Sequence, residues 1–204
     1  MMIRQRKIFL LIGGLLALGL ASLGVYLIVW PSWAVANACP APTKAGDSYT
    51  AIDTEGRTFT AHNLLGSPTL LFFGYTYCPE VCPTTIGDIS RWLDELGKDA
   101  DKLKVVFVTV DPERDTPEQL KSYLSSSGGR ILGVVAASCD LAVMAKKYQV
   151  YYKKVQLEHG EYSVDHNASI LLLDSNGQMV GTLNYQEPDN IALAKLRRLA
   201  ASAK

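Results

Sequence analysis

Two thiols four positions apart, Cys78 and Cys82, sit in the run Gly74-Tyr75-Thr76-Tyr77-Cys78-Pro79-Glu80-Val81-Cys82-Pro83. On a turn or the first coil of a helix, that spacing turns both sulfurs to one side. They can converge on one metal ion or, given suitable geometry, close a disulfide. Pro83 suits a first helical turn. Cys82 then lies just ahead of the helix, where the partial positive charge of the N-terminus favours thiolate over thiol. Thiolate both ligates soft metals and attacks disulfides, so the segment is reactive on either reading. Two thiolates hold copper(I) linearly, and an imidazole as third ligand makes a trigonal site that extends to copper(II). A closed structural zinc site asks for four ligands, usually in short-spaced pairs, and this chain has one such pair.

Other residues compete for chemical roles. On composition alone, a lone cysteine pair in an exported protein reads as a structural disulfide. Cys139, in the first turn of a helix, is either reactive or, more in keeping with its type, a small buried hydrophobe. Cys39 falls in a linker and reads as unpaired. His62 and His159 read as surface residues, and Met144 and Met179 as core. Asp111 and Asp115 either tune a neighbouring site or serve as turn-former and helix cap.

The elements that must position these groups alternate in type. Thr69–Gly74 is a continuous apolar run, the pattern of a buried strand, and 103–110 is another. Between them a helix starts near Pro83, with Ile86, Ile89, Leu93 and Leu96 on its apolar face. Residues 49–53 and 57–59 flank a hairpin turn, Thr54-Glu55-Gly56. Thr116 and Pro117 open a helix reaching about Leu124, and Ser138 caps another with Leu141, Met144, Ala145 and Tyr148 on one face. Strands over 150–155, 169–173 and 178–183 follow, the last two joined by Asp174-Ser175-Asn176-Gly177. Pro188 and Asp189 open a C-terminal helix. The alternation predicts an α/β sandwich of thioredoxin-like type.

The N-terminus sets the compartment. Arg4, Arg6 and Lys7 precede an uncharged stretch over 8–30, long enough to cross a hydrocarbon core of about 30 Å as a helix. The basic cluster keeps residues 1–7 cytoplasmic and exports the rest. The domain plan is therefore an anchor at 8–30, a linker at 31–48 and a working domain at 49–204. A single-pass inner-membrane protein with its domain on the periplasmic side follows. Ala36-Asn37-Ala38 offers the competing reading of a cleaved signal peptide, whose apolar region is typically shorter. Ala38-Cys39 raises a lipoprotein as a lesser one. Twenty basic and twenty acidic side chains cancel, so nothing favours nucleic acid as a partner.

Four ordered segments carry a family resemblance. Gly74-Tyr75-Thr76 leading into Cys78-Pro79-Glu80-Val81-Cys82-Pro83-Thr84 is similar to the signature of the SCO/SenC copper proteins. Val108-Thr109-Val110-Asp111-Pro112-Glu113-Arg114-Asp115-Thr116-Pro117, Tyr148-Gln149-Val150-Tyr151-Tyr152-Lys153-Lys154-Val155 and Val164-Asp165-His166-Asn167-Ala168 agree with it, and the resemblance spans roughly 50–199. It implies a thioredoxin-like fold in which Cys78, Cys82 and His166, the last from a facing loop, ligate copper. It also implies service in assembling the binuclear copper centre of cytochrome c oxidase subunit II, with other copper chaperones or thiol reductants as further partners. Glu80 stands where many members have aspartate, and Tyr77 where many have histidine, a change that bears on access to the site.

Three functions stay open at this point: a copper metallochaperone, a thiol-disulfide oxidoreductase that reduces the cysteines of that subunit through Cys78 and Cys82, and a redox or copper sensor. A peroxiredoxin-type peroxidase is weaker, because it leaves His166 without a purpose.

Overall fold

The computed structural model describes residues 49–203. The expected cytoplasmic segment at 1–7, the anchor at 8–30 and the linker at 31–48 lie outside them. Among the described residues, no helix is long and apolar enough to cross a membrane.

Among the described residues, nine strands form in chain order: β1 (Thr50–Asp53), β2 (Thr58–Thr60), β3 (Thr69–Gly74), β4 (Lys104–Thr109), β5 (Leu132–Ala136), β6 (Tyr152–Gln156), β7 (Tyr162–His166), β8 (Ile170–Leu173) and β9 (Met179–Leu183). Seven of them make one mixed sheet in the order β2-β1-β5-β4-β3-β8-β9, and β6 pairs with β7 in a separate hairpin. Every residue of β3 is buried, as expected of a strand covered on both faces. It runs parallel to β4, which runs parallel to β5, while β8 is antiparallel to β3. The β3 and β4 strands end side by side, Gly74 opposite Thr109, so the loops that follow both are neighbours.

Helices cover the sheet: α1 (Val81–Leu96), α2 (Pro117–Tyr123), α3 (Ser138–Lys147) and α4 (Asp189–Ala201). The expected apolar face of α1 is buried in full, and Trp92 joins it. Trp92 donates its indole N–H to Asp189 at the start of α4 over 2.8 Å, which fixes the two helices against each other. Thr116 caps α2 through a reciprocal pair of bonds with Gln119, a capping box that satisfies two orphan donors. Leu141, Met144, Ala145 and Tyr148 are buried as their spacing predicts.

Several boundaries differ from the sequence reading. The strand expected over 150–155 begins at Tyr152, and β5 and β7 were not anticipated. The first helix starts at Val81, so Cys82 is inside its first turn and not ahead of it. Ser138 is the first residue of α3, and Ala137 is the cap, with no side-chain capping bond. Met179 is 46% exposed, since it opens the edge strand β9.

Candidate metal centre

The site forms where β3 gives way to α1. The Cys78 N–H bonds back to the Tyr75 carbonyl over 3.3 Å, which turns the chain. Asp115, only 1% exposed, straps this turn to the neighbouring loop. Its carboxylate accepts from the Thr76 N–H at 3.0 Å, the Thr76 hydroxyl at 2.5 Å and the Thr109 hydroxyl at 2.6 Å. The sequence reading left Asp115 between tuning and capping; Thr116 does the capping, and Asp115 holds the cysteine loop in place. Pro83 occupies the first turn of α1, where its missing N–H costs nothing.

Both cysteines are buried, Cys82 completely. Gly74 makes room for it: a Cβ on Gly74 would lie 2.8 Å from the Cys82 sulfur and 2.8 Å from the tip of the Phe107 ring. The Cys82 backbone N–H points at the Cys78 sulfur, 3.4 Å away. The electropositive start of the helix therefore acts on Cys78, whereas the sequence reading assigned that benefit to Cys82. A hydrogen bond from the Cys82 thiol, then one from His166 and the N–H groups of Cys82 and Glu80, outweigh burial and bring Cys78 down to about 4. The same bond to Cys78, together with burial, pushes the Cys82 thiol up. The metal-free pair thus holds one proton, on Cys82, with Cys78 as thiolate.

His166 closes the group. It is the last residue of β7, half-buried on the hairpin, where the sequence reading put it on a loop. Its Nε2 lies 3.7 Å from the Cys82 sulfur. Its Nδ1 is 2.8 Å from the Asn167 carbonyl, an acceptor only, so Nδ1 donates there and Nε2 is the nitrogen turned toward the sulfurs. Edge contacts with Tyr75 and Phe72, centroids at 5.8 and 6.4 Å, orient the ring. Asn167 in turn accepts from the Tyr151 N–H at 2.5 Å.

The ligand atoms of Cys78, Cys82 and His166 all lie within 4.8 Å of one another. Among the described residues this is the group of three or more His, Cys, Asp or Glu side chains able to hold a metal. Two sulfurs and one imidazole nitrogen suit a soft or borderline cation, and the three donors fall short of the four that a closed structural zinc site takes.

The family model described as SCO1/SenC matches residues 38–201. The chain belongs to the SCO1/SenC family. Protein SCO2 and protein SCO1 of Saccharomyces cerevisiae, both mitochondrial, are 33% and 35% identical to it over 79% and 78% of its length. The match covers 55% of each yeast protein, so the chain spans about half the length of those SCO relatives. Among solved structures, copper-bound ScoI of Bradyrhizobium japonicum is 43% identical, with a TM-score of 0.69 over 74% of this chain and 97% of that one. Copper-bound yeast Sco1 is 32% identical, with a TM-score of 0.69 over 79% and 90%. The α/β core of this SCO1/SenC member matches theirs, and the thioredoxin-like expectation stands.

The remaining sequence candidates fall elsewhere. His62 and His159 are exposed, as expected, and Met144 is core. Cys139 is half-buried and disulfide-bonded, neither a reactive thiol nor a simple hydrophobe; Cys39 lies outside the described residues. Asp111 is fully buried and accepts from the Tyr162 hydroxyl at 2.8 Å and from Arg114. Tyr77 is 59% exposed and packs against the Arg114 guanidinium, 4.6 Å from its ring centre. Sequence reasoning quoted Gly74, Tyr75 and Arg114 within the family motifs but gave them no role of their own. A glycine closing an otherwise bulky strand was a further signal for Gly74.

Proposed function

We propose that this chain is a copper metallochaperone. Cys78, Cys82 and His166 hold one copper ion and pass it to the binuclear copper centre of cytochrome c oxidase subunit II. The observation that carries this reading is the convergence of two sulfurs and one imidazole nitrogen within 4.8 Å. Relatives solved with copper bound support it. The donor set accepts copper(I) through its thiolates and extends to copper(II) through the imidazole. Loading displaces the Cys82 proton, and delivery proceeds by ligand exchange with cysteines and histidines of the acceptor. Other copper chaperones supply the ion, and a thiol reductant keeps Cys78 and Cys82 from closing a disulfide, which blocks loading. The uncharged stretch at 8–30 anchors the chain in the inner membrane, single-pass, with the domain on the periplasmic side.

The protonation asymmetry of the pair favours a second reading, reduction of that subunit's cysteines. Cys78 thiolate attacks a partner disulfide and releases one partner thiolate. Cys82 then loses its proton and displaces the second partner sulfur, leaving a Cys78–Cys82 disulfide and a reduced partner.

An anaerobic titration of the reduced full chain with copper(I) against a competing chelator separates the two. One tightly held copper per chain, weakened in Cys78→Ser, Cys82→Ser and His166→Ala, supports the carrier. No competitive binding, or binding indifferent to His166, transfers the assignment to dithiol exchange.

A further inference from the structure

The two sulfurs and the imidazole belong to different parts of the fold. Cys78 and Cys82 ride on the turn into α1, whereas His166 ends a hairpin that is not hydrogen-bonded into the seven-stranded sheet. Something must set the distance between them.

Arg114 sits where the parts meet. Its Nη1 donates to the Tyr162 carbonyl in β7 over 3.0 Å, and its Nε donates to buried Asp111. Asp111 also accepts the Tyr162 hydroxyl, so one residue of the hairpin is held twice by the same ion pair. The guanidinium lies over the Tyr162 ring, 3.7 Å from its centre, with Tyr77 of the cysteine loop at 4.6 Å and Tyr75 at 5.8 Å. Its Nη2 is buried without a hydrogen-bond acceptor among the described residues. The ring faces are what compensate its charge there. The planar fork thus touches the cysteine loop, the turn after β4 and the hairpin that carries His166.

We propose that Arg114 is the positioning residue for His166: it latches the β6–β7 hairpin onto the cysteine loop and so sets the gap between the imidazole and the two sulfurs. Tyr77 is on this reading a stacking partner of the latch and not a metal contact. Lysine cannot replace arginine here, because it has neither the fork nor the flat face. The proposal rests on the copper reading for its metal arm and stands without it for its metal-free arm.

The test uses the full chain as parent, Arg114→Ala, Arg114→Lys, His166→Ala and the Arg114→Ala/His166→Ala double variant. In the metal-free chain, hydrogen exchange of the β6 and β7 amides should rise at least about tenfold in Arg114→Ala, with β3 and β4 unchanged. In the copper(II)-loaded chain, the imidazole nitrogen hyperfine coupling should weaken toward that of His166→Ala. Arg114→Ala should add no further loss of copper(II) affinity in the His166→Ala background, because it acts through that residue. Arg114→Lys should show the same pattern at smaller size. Should Arg114→Ala fail to fold, Arg114→Lys and Tyr162→Phe carry the exchange test alone. Hairpin exchange at the parent rate, or acceleration spread equally over β3, β4 and α1, overturns the latch. Equal copper losses in both backgrounds overturn it too. A parent chain that binds no copper sinks the carrier reading, and the exchange arm still decides the latch.

Discussion

Replacing Gly74 by alanine tests how the fold seats a metal-binding sulfur against a strand. The added Cβ would stand 2.8 Å from the Cys82 sulfur and 2.8 and 3.0 Å from two carbons of the Phe107 ring. Ordinary contact begins near 3.4 Å, so sulfur and ring must each retreat by about 0.6 Å. Neither neighbour is the free end of a flexible chain: Cys82 is fixed in the first turn of α1, and Phe107 is buried in β4. Overpacking of this kind costs about 1–3 kcal/mol. At about 2 kcal/mol, the thermal midpoint of a domain this size falls by roughly 4–8 °C. The displaced sulfur also spoils the 3.7 Å approach to His166, and loosening a metal ligand's support typically costs about tenfold or more in affinity. Thermal unfolding of the metal-free chain and copper(I) competition read the two effects separately. An unchanged midpoint with unchanged affinity would refute the idea that Gly74 exists to admit the Cys82 sulfur.

Copper(I) affinity should fall at least about tenfold per pH unit between about pH 9 and about pH 5, because binding expels the Cys82 proton. Below about pH 4 the slope steepens as Cys78 also takes up a proton. A chelator competition series that is flat with pH contradicts the ligand set. In the reduced metal-free chain, iodoacetamide should modify Cys78 before Cys82, at a rate nearly level from about pH 6 to about pH 8, since Cys78 is already thiolate there. Peptide mapping that finds Cys82 modified first reverses the assignment. Asp115→Ala strands three donors, the Thr76 N–H and the hydroxyls of Thr76 and Thr109. It should destabilise the chain by about 3 kcal/mol or more, measured by denaturant unfolding, while His62→Ala stays near the parent.

What was legible in the sequence was whatever local pattern dictates. The apolar run Thr69–Gly74, the face of α1, the Thr116-Pro117 cap and the Asp174–Gly177 turn all follow from nearest neighbours along the chain, and all formed. The strand β5 escaped notice because Gly133 breaks a short apolar run. That glycine is demanded by partners distant in sequence: a Cβ there would meet a Thr54 side-chain carbon at 2.5 Å and Leu120 at 2.8 Å. The strand β7 escaped because its residues mix charge and apolarity, and only pairing with β6 makes it a strand. At the site, the Cys78–Cys82 pair was readable from its spacing, whereas His166 entered through the family resemblance. Which sulfur ionises was not, because that depends on where one backbone N–H points. The roles of Asp115 and Arg114 are likewise sums of contacts across the fold, which no single spacing encodes.

The sulfurs and the imidazole come from points 84 positions apart in the chain. The thiol pair is made from consecutive residues, a strand end, a turn and one helical coil. The imidazole joins only when a hairpin from much later in the chain has docked. A polypeptide emerging N-terminus first owns a dithiol well before it owns three donors. A copy whose hairpin has not docked offers a metal ion two donors, where the folded chain offers three. Substitutions far from the sulfurs that impair docking of that hairpin will register first as weak loading, at a stage when secondary structure still looks intact.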